Sequence, residues 1–196
     1  MENINQIRLI SIWIFIITFA SLNICLFISV NYHLLEGTIF TVDPIGRSGF
    51  TIPYIDGSVS ISRTARTFPA YIVFKSGMLI TAILLIQYWR ASNKLMQTIN
   101  NDFSKNKSFL FFGVGSAICL IIHSLLLGIH FDVDLYKFFR RFVLLSFIIF
   151  EIVAQALLIK NIIKIKNEIR EMINRKILIV KIFIVSVLII VAILSL

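Results

Sequence analysis

Five apolar stretches, each close to twenty residues long, constrain this chain more than any other feature. They are Leu9–Val30, Ala70–Trp89, Phe109–His130, Phe138–Ile159 and Ile177–Leu196. A helix rises about 1.5 Å per residue, so roughly 20 apolar residues cross the ~30 Å hydrocarbon layer of a bilayer. Of the 196 residues, 58% are hydrophobic and only 15% charged, where soluble domains carry about 25% charge. The pattern predicts an all-α integral membrane protein: one domain over 1–196, built as a bundle of five transmembrane helices. The first run is longer than the apolar part of a signal peptide and lacks an obvious cleavage site, so it reads as an uncleaved anchor.

The segments between the runs differ in kind. Residues 31–69 include "TIFTVDPIGRSGFTIPYIDGSVSIS", where β-branched and aromatic residues are broken by Asp43-Pro44, Gly46, Gly49 and Asp56-Gly57. Such punctuation predicts short hairpins, hence a small β-rich extracytoplasmic loop between the first two helices. Residues 161–175, "NIIKIKNEIREMINR", place Ile162, Ile165, Ile169, Met172 and Ile173 at helical spacing. This basic amphipathic cytoplasmic segment extends the fourth helix or lies on the membrane surface. Tyr88, Trp89 and Arg90 close the second run and read as an interfacial anchor. Gly113, Gly115, Ser116 and Ala117 give the third run a small-residue face suited to close packing.

The net charge is +9. The cations flank the apolar runs, so topology and anionic headgroups explain them more simply than nucleic acid does. A cytoplasmic N-terminus leaves seven of the 19 Lys and Arg outside: Arg47, Arg63, Arg66, Lys75, Lys137, Arg140 and Arg141. The other twelve lie inside, which favours that orientation. A bacterial cytoplasmic (plasma) membrane is the simplest host. Cys25 and Cys119 fall within apolar runs and read as packing residues, with no zinc spacing or redox pair. The sequence has no Walker loop, nucleophile elbow or HExxH, and no cofactor is expected.

Three groups of residues are candidates for function. Glu151 lies well inside the fourth run, with Gln155 one turn on. Intramembrane acids face a cavity or a partner, because an isolated carboxylate in hydrocarbon is costly. His123 sits inside the third run. His130, Asp132 and Asp134 form "HFDVD", a donor set that a divalent metal accepts and that a solvated turn also produces. Arg63 and Arg66, interleaved with Ser60 and Ser62, suit lipid phosphate outside; Lys164, Lys166 and Arg170 suit anionic lipid inside.

The order of these features resembles the Frag1/DRAM/Sfk1 family of polytopic membrane proteins. The resemblance rests on Ser60-Ile61-Ser62, on Pro69-Ala70-Tyr71-Ile72-Val73-Phe74-Lys75, on Tyr88–Arg90 and on Lys137–Phe139. Val59 stands where the family has a proline, and the family typically has six spans. The resemblance implies a role in lipid organisation or regulation and transfers no catalytic residue. The leading expectation is therefore a lipid-interacting, membrane-organising or regulatory protein. One alternative is a transporter or channel subunit using Glu151 and His123. Another is a metal-dependent lipid hydrolase using His130, Asp132 and Asp134 with His123. The partners expected are membrane lipids and a second copy or another membrane protein, not nucleic acid.

Overall fold

A computed structural model of the chain describes residues 2–31, 38, 65, 68–99, 107–127, 134–165 and 175–194. Five helices follow in order: α1 (Glu2–Val30), α2 (Ala70–Ile99), α3 (Ser108–Leu126), α4 (Asp134–Lys164) and α5 (Arg175–Leu194). Neighbours in sequence are neighbours in space: α1 packs on α2, α2 on α3, α3 on α4, and α5 more lightly on α4. Among the described residues, α1 to α4 are long and apolar enough to cross a membrane.

Two expectations are corrected. The five-span bundle gives way to five helices with four candidate spans among the described residues. The β-rich loop is not found: the described residues contain no β-strand, and nearly all of 31–69 lies outside them. Of the segment 161–175, the first residues continue α4 to Lys164, and 166–174 lie outside the described residues.

The surface carries the membrane signature. Phe15, Phe27, Ile83, Phe111 and Phe183 are more than half exposed, whereas Ser21, Ser29, Thr81, Ser116 and Ser124 are buried. Water would penalise so wide an apolar surface, and a lipid environment does not. The hydroxyls are accommodated locally. Ser29 donates to Cys25 O at 2.9 Å and Ser124 to Leu120 O at 2.8 Å, each one turn back in its own helix. Such bonds keep hydroxyl protons satisfied without water.

Small residues set the helix spacing. A Cβ on Gly77 of α2 would overlap Ser21 of α1, so these helices meet at nearly backbone contact there. Thr18 and Thr81 share a hydrogen bond of 3.2 Å across the same interface. At its other end α2 presents Trp89, Tyr88 and Met96 to a core completed by Phe109 of α3 and Leu158 of α4. That end gathers the start of α1, the end of α2, the start of α3 and the end of α4. The opposite end is tied by polar reach across helices. Tyr136 of α4 donates to Leu126 O of α3 at 2.6 Å, and Lys75 of α2 reaches Leu125 O at 3.4 Å. Both bonds use carbonyls that the last turn of a helix leaves without partners.

Candidate functional site

Glu151 projects from α4 into the interface with α2 and α3, where described residues of all three helices contact its carboxyl. Ser116 Oγ of α3 lies 2.7 Å from Oε2, and the Trp89 indole N–H of α2 donates to the same oxygen at 3.3 Å. Gln155, one turn along α4, donates its amide to Oε1 at 2.9 Å. Trp89 and Ser116 are fully buried. The local sequence makes the room: Gly113 carries no side chain, and a Cβ there would overlap the Trp89 ring. Apolar rings close the surroundings, with Phe112 and Phe150 edge-on at 5.6 Å and Phe109 6.3 Å from Trp89.

Proton counting says what this cluster can do. Ser116 Oγ also lies 2.8 Å from Gly113 O. Its single hydroxyl proton is shared between the two oxygens, which ties the Glu151 carboxyl to the α3 backbone. A carboxyl bonded in this way clamps three helices together in a solvent where unpaired polar groups are costly.

The structure brings Glu151 and Gln155 together and adds two partners that sequence reasoning assigned elsewhere. Trp89 is not a lipid-facing anchor but the buried donor to Glu151; of the expected trio, Arg90 remains exposed. Ser116 is both a small packing residue and a hydrogen-bond partner. His123 is buried on α3 about two turns beyond Ser116 on the same face, and it is not among the partners of the Glu151 carboxyl. Asp134 opens α4, is almost fully exposed, and pairs with Lys137 at 3.1 Å. His130 and Asp132 lie outside the described residues, as do Arg63, Arg66, Ser60, Ser62, Lys166 and Arg170. Lys164 is exposed at the end of α4. Among the described residues no cluster of three or more His, Cys, Asp and Glu is placed to hold a metal.

A second feature lies one turn towards the end of the bundle. A cleft of about 170 Å³ opens between the start of α1, the end of α2, the end of α4 and the start of α5. Ile7, Leu95, Met96, Ile99, Leu158 and Ile162 give it apolar walls. Its polar atoms come from Tyr88 and Ser92 of α2 and Lys181 of α5. The Lys181 ammonium donates to the Tyr88 hydroxyl at 3.4 Å. The sequence signal for this site was a lone cation with four apolar residues on each side, in "ILIVKIFIV". Such a cation must reach out of hydrocarbon to something polar.

No family model matches the chain, and no curated protein or solved structure matches it either.

Proposed function

We propose that this multi-spanning membrane protein acts through lipid, as a membrane-organising or regulatory factor, with its N-terminus on the cytoplasmic side of a bacterial plasma membrane. The observation that carries the reading is the cleft lined by Tyr88, Ser92, Leu158 and Lys181: apolar walls beside a cation and two hydroxyls suit an amphiphile. The resemblance to the Frag1/DRAM/Sfk1 family points the same way. Arg63, Arg66, Ser60 and Ser62 are assigned to headgroups on the outer side, and Lys164, Lys166 and Arg170 to anionic lipid inside.

Transport is the weaker reading, because Glu151 spends its hydrogen bonds on Trp89, Ser116 and Gln155. Hydrolysis is weaker still, because Asp134 is spent on an exposed ion pair with Lys137. The test is extraction into native lipid particles, followed by mass spectrometry of the lipids retained. Enrichment of particular lipids over the bulk membrane is the result expected. A retained set identical to bulk membrane overturns the proposal. Flux into proteoliposomes that Glu151→Gln abolishes would put a transporter in its place.

A further inference from the structure

Helix α4 begins with a charged and aromatic stretch that its neighbours leave uncovered. Lys137 and Arg141 are exposed, as are Phe138 and Phe142. Leu144, Leu145 and Ile148 follow on the same helix, each more than a third exposed. Lys137, Arg141, Leu144 and Ile148 recur at the spacing of one helix face, so two cations and two apolar side chains form a single stripe. Helix α5 does not cover it: beyond Val185 none of its described residues is buried. Asp134 pairs with Lys137 at 3.1 Å, which uses one of the three ammonium protons. Arg141 meets no carboxylate among the described residues.

The order along the stripe follows the depth of the bilayer. Ser116 of α3 meets Glu151 of α4, and Leu126 O of α3 meets Tyr136 of α4, so the two helices run antiparallel. Ten residues from the first contact lead to Leu126 on α3 and to Arg141 on α4. Leu126 ends α3, whose 19 residues span about 28 Å, close to the ~30 Å of the hydrocarbon layer. Arg141 therefore stands at the edge of that layer. Lys137 lies one turn further out, at headgroup level, and Leu144, Leu145 and Ile148 lie roughly 5 to 10 Å inside the edge. A lipid meets this stripe with its phosphate outward and its chain inward, as it stands in its own leaflet. Two cations beside one phosphate also favour a headgroup that brings no cation of its own.

We propose that this stripe of α4 binds an anionic phospholipid, with the phosphate between Lys137 and Arg141 and one acyl chain along Leu144, Leu145 and Ile148. This deepens the lipid reading above and rests on it. The experiment exchanges the purified full chain into nanodiscs of phosphatidylglycerol and phosphatidylcholine mixed in equal amounts, then releases it for native mass spectrometry. Wild type retains phosphatidylglycerol preferentially. Arg141→Gln lowers that preference about fivefold, the worth of one surface cation, and Lys137→Gln in the same chain lowers it further. Arg141→Lys keeps most of it. Both side chains are exposed, so the variants unfold at the wild-type temperature in detergent. An unchanged preference in the double variant overturns the site while leaving the lipid reading intact. Equal losses in Arg141→Lys and Arg141→Gln overturn the pairing of phosphate with charge. Wild type that retains neither lipid overturns both the site and the lipid reading.

Discussion

Glu151, near the middle of α4, and Lys181, within the first two turns of α5, are handled in opposite ways. The acid is enclosed: three donors from α2, α3 and α4 surround it, and two of those side chains are fully buried. The cation is only half-buried and holds one long bond to a neutral hydroxyl. In a low-dielectric surrounding the first arrangement is self-sufficient and the second is not. The difference teaches that an ionisable residue inside an apolar run marks a function only where the fold leaves its bonding unfinished. By that criterion the acid holds the scaffold and the cation belongs to the site.

The comparison breaks most visibly at Trp89. Trp89→Ala removes the largest fully buried side chain among the described residues and one donor to Glu151, and should cost about 3–5 kcal/mol, as truncation of buried aromatics does. Thermal unfolding in detergent measures it; a small loss would mean the acid does not depend on its enclosure. Glu151→Leu comes next. It strands the indole N–H and the Gln155 amide, at about 1–3 kcal/mol for each group left without an acceptor. Glu151→Gln offers an oxygen that accepts from Trp89 and Ser116 and an amide N–H that donates to Gln155 once the Gln155 amide turns over, so its melting temperature should stay near wild type. If the leucine and glutamine variants melt together, hydrogen bonding is not what Glu151 supplies.

Lys181→Gln sharpens the contrast from the other side. The variant should unfold at the wild-type temperature when stripped of lipid, and should gain less stabilisation than wild type from an added anionic amphiphile. A large loss without lipid would make Lys181 part of the scaffold, like Glu151. The smallest effect belongs to Asp134→Asn. Its ion pair with Lys137 is exposed, and such pairs contribute little, so no change in unfolding temperature is expected. A measurable fall would show that the start of α4 is enclosed by residues beyond those described.

The membrane class was legible because apolar run length is a direct consequence of bilayer thickness. The pairing of Glu151 with Gln155 was legible too, since residues four apart share a helix face. Trp89 was misread for a physical reason. A tryptophan beside a tyrosine and an arginine at the end of an apolar run has the composition of an interfacial belt. Only the packing of α3, with Gly113 opening a slot for the ring, turns it inward. Lys181 entered the sequence reading merely as one more cytoplasmic charge, because its meaning depends on α5 lying against Tyr88 of α2. The five-span count relied on hydrophobic length alone, and four helices among the described residues meet the structural criterion. The punctuation of 31–69 predicted hairpins that the described residues do not contain.

The lengths of the helices carry one more consequence. Helix α3 has 19 residues, about 28 Å, and stands between α2 of 30 residues and α4 of 31. Its last carbonyls are tethered to Lys75 and Tyr136, so it cannot slide along its neighbours to hide the shortfall. Its length nearly matches the hydrocarbon layer of about 30 Å, so the additional turns of α2 and α4, which carry Arg90, Lys94, Lys160 and Lys164, extend past α3 into the headgroups.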